Sequence, residues 1–297
     1  MRIGVFDSGV GGLSVLRHIR ALLPAAELLY VADCAHLPYG DKPAAAVEAR
    51  VCAIGDFLLS RGADALVVAC NTATAAAVQQ LRARCRLPVV GLEPGIKPAV
   101  AASRSGVVGV LATAGTLRSD KYARLLAAHR GAARIIGRAC DGWAELVERL
   151  PPAQLGDDAT ARRAVRTQLA PLLDAGADTL VLGCTHYPFL ADLIADVAAD
   201  LSGTADGVAL VDTGEPVARQ LRRLLDQRDR GEGHGERGSE RGGEWPGEAA
   251  TAAAAIRLWA SGDQRACAAT IARLWPLIAD HPARAGAGPP PLARLPC

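Results

Sequence analysis

Two short segments carry the residue types that acid–base chemistry needs, Cys70-Asn71-Thr72-Ala73-Thr74 and Cys184-Thr185-His186-Tyr187-Pro188. Each follows a strand-like apolar run and precedes a helix-like one, so each thiol falls at a strand-to-helix junction. A helix N-terminus stabilises a thiolate, and a cysteine pKa near 8.5 can fall to roughly 3.5–7.5 in such a place. Asn71, Thr72 and Thr185 are neutral donors able to hold carboxylate oxygens, and His186 can protonate or orient a group beside Cys184. Inverting a stereocentre by proton transfer requires a base on one face and an acid on the other, and no single fixed group reaches both. Cys70 and Cys184 on opposite faces of a ligand would meet that need, one as thiolate and one as thiol, with the roles exchanged by direction.

Other segments invite chemistry and offer less. Asp7-Ser8-Gly9-Val10-Gly11-Gly12 lies between a strand and a helix, but Ser14 stands where a dinucleotide fingerprint needs its third glycine, and Gly-Lys-Ser/Thr is absent. The loop's backbone N–H groups at a helix N-terminus suit a carboxylate or phosphate, which the Asp7 carboxylate would repel. Asp7 therefore reads either as a cap of its own loop or as the partner of an ammonium group or a base. Cys34-Ala35-His36 and Cys184-Thr185-His186 both present Cys-x-His, yet Pro188 and the run after it leave Cys184 in a strand-to-helix turn, so no metal is expected. A lysine-bound cofactor has only Lys42, Lys97 and Lys121 to choose from, none in a recognisable setting, and no cofactor is expected.

The elements that must position these residues alternate. Strand-like runs at 2–6, 28–32, 65–69, 88–92, 107–111, 133–136 and 179–182 are interleaved with helical periodicity at 13–23, 44–60, 73–84, 118–129, 143–150, 159–173 and 188–201. This order predicts an α/β fold with mainly parallel sheets covered on both faces. Gly62-Ala63-Asp64-Ala65-Leu66-Val67-Val68-Ala69-Cys70 matches Gly176-Ala177-Asp178-Thr179-Leu180-Val181-Leu182-Gly183-Cys184 at an offset of 114, with six identities in nine. Ile3-Gly4-Val5 and Val108-Gly109-Val110 form a weaker echo. Gly-Ala-Asp-x-Leu-Val is also a common way into a buried strand, but a shared element ending at a useful thiol favours two similar units in tandem. Both cysteines would then lie past the carboxyl ends of strands, where open α/β sheets bind ligands.

Composition bounds the partners. The 33 basic against 31 acidic residues, a formal charge of +2, argue against an obligate nucleic-acid protein. No apolar run approaches the roughly 18 residues of a membrane span, and the glycine-rich start with Asp7 is unlike a signal peptide, so a cytoplasmic protein is expected. The eight cysteines then read as thiols rather than disulfides, with Cys34, Cys52, Cys85, Cys140 and Cys267 as small core residues. Residues 228–250, rich in Gly, Glu, Arg and Ser, read as a disordered insertion, and 281–297 as a loose tail.

With these residues in view, the chain resembles the cofactor-independent glutamate racemases of the aspartate/glutamate racemase superfamily. The resemblance is carried by Phe6-Asp7-Ser8-Gly9-Val10-Gly11-Gly12, Ala32-Asp33 with Pro38-Tyr39-Gly40, Ala69-Cys70-Asn71-Thr72-Ala73, Ala112-Thr113 with Thr116, Leu146-Val147-Glu148 and Gly183-Cys184-Thr185-His186-Tyr187-Pro188, in family order over residues 3–225. Ser261-Gly262-Asp263 and the helix after it also fit, whereas Val211-Asp212-Thr213-Gly214 departs from the more usual Val-Asp-Ser-Ala. It implies two pseudo-symmetric doubly wound α/β domains, 1–97 with 209–280 and 98–208, around a cleft. It further implies that Cys70 and Cys184 are the acid/base pair, assisted by Asp7 and His186, with Glu148 a further catalytic candidate. Asp7, Ser8, Tyr39, Gly40, Asn71, Thr72, Thr113, Thr116, Thr185 and His186 would hold the substrate. The implied reaction is interconversion of L- and D-glutamate for peptidoglycan; the sequence leaves the oligomeric state open, a homodimer included. The rivals are a racemase of aspartate or another amino acid and a non-catalytic amino-acid-binding regulator, which would need no thiol on each face.

Overall fold

A computed structural model describes residues 1–202, 207–232, 255–277 and 289–295. The chain opens with β1 (Arg2–Asp7), α1 (Leu13–Leu22), β2 (Glu27–Ala32), α2 (Ala44–Ser60), β3 (Ala65–Val68), α3 (Asn71–Arg84) and β4 (Val89–Gly91). It crosses through α4 (Ile96–Ala102) into β5 (Val107–Ala112), α5 (Ala114–Leu117), α6 (Asp120–Ala128), β6 (Arg134–Ala139), α7 (Trp143–Arg149), α8 (Pro152–Leu155), α9 (Ala159–Asp174), β7 (Thr179–Gly183), α10 (Ala191–Ser202) and β8 (Ala209–Val211). It returns through α11 (Gly214–Glu232), β9 (Ile256–Ala260), α12 (Gln264–Leu274) and β10 (Leu292–Arg294). The strands form a sheet ordered β10-β9-β2-β1-β3-β4 and another ordered β6-β5-β7-β8. Among the described residues every pairing is parallel.

Parallel strands are covered on both faces, so consecutive residues must enter different cores. Ile3, Val5, Leu28, Tyr30 and Val67 pack in one cluster, while Phe6, Leu29, Val31, Leu66 and Val68 pack in another on the opposite face. In the second sheet Val108, Val110 and Val181 face one core, and Leu111, Leu180 and Leu182 the other.

The internal repeat has a structural counterpart. Gly62 and Gly176 end their helices at φ 78° and 88°, a left-handed conformation that glycine adopts at no steric cost. Gly4 lies opposite Leu66 and Gly109 opposite Leu180 in register. A Cβ on Gly4 would come within 2.8 Å of Leu66 and 3.1 Å of Leu58; one on Gly109 would come within 2.6 Å of Leu180 and 2.8 Å of Leu172. The same glycine–leucine–leucine contact is thus built twice from positions the repeat relates, which favours duplication over coincidence.

Four expectations need correction. Ala209–Val211, expected to begin the return to the first unit, pairs with β7 in the second sheet, and the return starts at α11. Residues 228–232 continue α11 rather than open a disordered insertion, because Val217, Leu221 and Leu225 bury one helix face and Arg228 donates to the Asp64 carbonyl at 3.0 Å. Residues 233–250, the rest of that insertion, lie outside the described residues, as do 251–254. The tail is not uniformly loose: Leu292–Arg294 pairs with β9 and Leu295 is buried in the first sheet's core, while 281–288 and 296–297 lie outside the described residues. Cys34 and Cys267 are not separate thiols but a disulfide, brought together because β2 and β9 are neighbours and each is followed by one of the cysteines.

Candidate active site

Cys70 ends the β3 segment and caps α3, its backbone extended at φ −147° and its sulfur accepting the Ala73 N–H at 3.4 Å. The sulfur also lies 3.6 Å from the Ser8 hydroxyl, which donates to Asp7 Oδ1 at 3.3 Å. Asp7 is fully enclosed and accepts the Ser8 N–H at 2.7 Å, the Gly12 N–H at 2.6 Å and the Thr185 hydroxyl at 3.0 Å. Its burial outweighs these bonds and raises its carboxyl above the ordinary range. The thiolate-favouring effect expected at a helix N-terminus is overridden at Cys70. Burial, then the Asp7 charge, push its thiol well up against the smaller pull of the Ala73 N–H and Ser8.

Cys184 follows β7 in a half-buried turn. Its sulfur is 3.8 Å from His186 Nδ1, and His186 Nε2 is 2.9 Å from Glu148 Oε1. Burial works against charge on this imidazole, but its bonds to Cys184 and Glu148 prevail and hold it protonated well above the usual histidine range. Burial likewise works against charge on Glu148, yet the His186 bond and charge, the Val10 N–H at 3.2 Å and the Arg273 charge keep its carboxyl below normal. Two relays result, thiol–hydroxyl–carboxylate at Cys70–Ser8–Asp7 and thiol–imidazole–carboxylate at Cys184–His186–Glu148. The bond from Thr185 to Asp7 joins them.

The glycine-rich loop serves these relays directly. Its Ser8, Val10 and Gly12 N–H groups are taken by Asp7 and Glu148, so the chain's own carboxylates occupy the donors that looked free for an outside anion. The absence of a side chain at Gly11 admits His186: a Cβ there would come within 2.6 Å of its Cε1 and 2.7 Å of Thr185 Oγ1.

Of the remaining expected residues, Thr72, Thr113 and Thr116 form a hydroxyl triangle across the two units, with separations of 3.0, 3.3 and 3.0 Å. Gly40 packs on it, 3.3 Å from Thr113 at the position of a Cβ. Asn71, next to Cys70, is buried with neither side-chain amide atom hydrogen-bonded among the described residues. Tyr39 is held from within the first unit. Its hydroxyl donates to Asp33 at 2.6 Å, in a buried knot with Arg50 at 2.8 and 3.0 Å and Ser261 at 2.7 Å, so that side chain supports the turn before Gly40. Sequence reasoning missed Ser14, whose hydroxyl donates to the Thr185 carbonyl at 2.8 Å. It also missed Tyr187's bond to the Cys140 carbonyl at 3.1 Å, which pins the turn after Cys184.

Residues 3–221 match the family model described as Asp/Glu/Hydantoin racemase. The chain belongs to the Asp/Glu/Hydantoin racemase family. A glutamate racemase of Methylococcus capsulatus is 61% identical over 224 residues, 75% of this chain and 79% of that one. Another from Ectopseudomonas mendocina is 50% identical over 262 residues, 88% of this chain and 89% of that one. The crystal structure of Escherichia coli glutamate racemase in complex with L-glutamate and the activator UDP-MurNAc-Ala is 31% identical, with a TM-score of 0.76 over 99% of this chain and 97% of that one. Such coverage extends the likeness of this racemase to both α/β units. No helix among its described residues is long and apolar enough to cross a membrane.

Proposed function

We propose that this racemase interconverts L- and D-glutamate by proton transfer between Cys70 and Cys184, without a cofactor, and supplies D-glutamate for peptidoglycan in a bacterial cytoplasm. The observation that carries the reading is the pair of thiols at repeat-related strand ends, each backed by its own carboxylate relay. In one direction the Cys184 thiolate, facing the His186 imidazolium, takes the α-proton. The Cys70 thiol then returns its proton to the opposite face of the carbanion, leaving Cys184 protonated and Cys70 as thiolate. Reversal exchanges the roles, and the Ser8–Asp7 and His186–Glu148 relays return the protons between turnovers. Asn71, Ser8, the Gly40 backbone and the hydroxyls of Thr72, Thr113, Thr116 and Thr185 supply neutral donors for carboxylates, while Asp7 and the protonated His186 set the charge around the α-carbon. Glutamate as substrate is supported by the named relatives.

The test is proton NMR of L-glutamate with the protein in D₂O, with optical rotation followed on the same sample. Loss of the α-proton signal with rotation decaying to zero is expected. Cys70→Ser and Cys184→Ser should each abolish full racemisation; full activity in either variant refutes the two-base scheme. Inactivity on glutamate with turnover of aspartate would move the substrate to the rival amino acid.

A further inference from the structure

Glu148 lies in the last turn of α7, where backbone carbonyls have no partner within the helix. Its carbonyl nevertheless accepts from the Arg273 guanidinium, and the Thr270 hydroxyl, with one proton to give, stands 3.2 Å from it and 3.1 Å from the Ala266 carbonyl of its own helix, both residues being on α12. Arg273 Nη2 also donates to Thr270 Oγ1 at 3.0 Å, so the guanidinium spans the Glu148 carbonyl and the threonine hydroxyl.

α12 is itself firmly placed. Asp263 caps its first turn through the Arg265 and Ala266 N–H groups at 2.8 and 3.2 Å. Cys267, one turn before Thr270, is bonded to Cys34, and Cys267, Thr270, Ile271 and Leu274 form the buried face. Ser261, just before the helix, binds the enclosed Asp33 at 2.7 Å and accepts the Ala35 N–H at 3.0 Å. Glu148 is therefore gripped at both ends, its carbonyl by α12 and its carboxylate by His186 and Val10. A helix of the returning segment thus sets the register of a carboxylate in the other unit.

We infer that Arg273, with Thr270, is a positioning residue for the Cys184 half of the reaction, holding the Glu148 main chain so that its carboxylate meets His186. The inference rests on the two-cysteine reading. It assigns a task to the C-terminal β9–α12 unit.

The experiment measures kcat, KM, the pH profile and the thermal midpoint for Arg273→Met, Arg273→Lys and Thr270→Val beside the wild type and Cys184→Ser. A displacement of about 1 Å at reacting groups costs on the order of 100-fold in rate. Arg273→Met is accordingly expected to lower kcat by about 10- to 100-fold with KM within about threefold. Its acid limb should move to higher pH, because His186 and Arg273 are the cations acting on the Glu148 carboxyl and one has been removed. Arg273→Lys should recover part of the kcat and restore the acid limb, and Thr270→Val should lose less than Arg273→Met. Folded Arg273→Met with wild-type kcat and acid limb overturns the inference. So does a kcat that follows the thermal midpoint alone, with Arg273→Lys no better than Arg273→Met. Full racemisation by Cys184→Ser would instead remove the two-cysteine reading and this inference with it, so the two failures are told apart.

Discussion

Substituting Gly11 by alanine adds one methyl group in the space that His186 uses. Gly11 is not among the glycines with positive φ, so alanine fits its backbone and the effect is steric. The new Cβ would stand 2.6 Å from His186 Cε1 and 2.7 Å from Thr185 Oγ1. Non-bonded carbon atoms rest about 3.5–4.0 Å apart, so the ring must retreat by roughly 1 Å. His186 is only 2% exposed and its Nε2 is held by Glu148 at 2.9 Å, so the retreat breaks that bond or carries Nδ1 beyond its 3.8 Å reach of the Cys184 sulfur. Misplacement on this scale lowers kcat by about 100-fold. The overpacking itself destabilises by about 1–3 kcal/mol. The assay follows the ellipticity of L-glutamate to obtain kcat, alongside urea unfolding. Gly156→Ala is the control: nothing lies within 4 Å of its Cβ position, and it should leave kcat unaltered. A folded Gly11→Ala enzyme with kcat within about threefold of wild type would refute the role given to the His186 position.

Ser14→Ala removes the donor to the Thr185 carbonyl and leaves that buried oxygen unsatisfied, so stability should fall by about 1–3 kcal/mol and kcat more than KM should suffer, measured by urea unfolding and initial rates. Glu148→Gln tests the sign of the charge coupling. The lowered Glu148 carboxyl contributes stability above about pH 4.3 that is lost as pH falls through its folded value, and the raised His186 contributes stability below about pH 6.5 that is lost as pH rises to its folded value. The wild-type advantage over Glu148→Gln in unfolding free energy should therefore be greatest near pH 5.5 and shrink on both sides. A gap that widens steadily with pH would contradict it.

Much of the architecture was legible because α/β periodicity is local. The alternation places both thiols after strands, and the Gly-Ala-Asp-x-Leu-Val repeat points to two related units. The contacts that the sequence did not reveal are long-range. Arg273 reaches Glu148 across 125 residues, and Cys34 pairs with Cys267 across 233. β10 was missed because three residues after a proline run show no alternation. Tyr39 carries part of the family resemblance, but a hydroxyl in a motif has no record of its partner, and the bond to Asp33 is visible only in the fold. The expected lowering of the Cys70 thiol failed for a different reason: proximity to a helix N-terminus is visible in sequence, while full burial beside a carboxylate is not.

The loop between β1 and α1 invites comparison with phosphate cradles, and its occupancy changes what that likeness means. A cradle of that kind is an open receptor, whereas here the receptor is already loaded with anions covalently part of the same polypeptide. Inorganic phosphate and nucleotides would have to evict Asp7 and Glu148 to enter it, at the expense of contacts on both thiol relays. The loop is thus an internal bearing on which the two halves of the molecule seat, and competition there would register as loss of structure rather than as ordinary competitive inhibition.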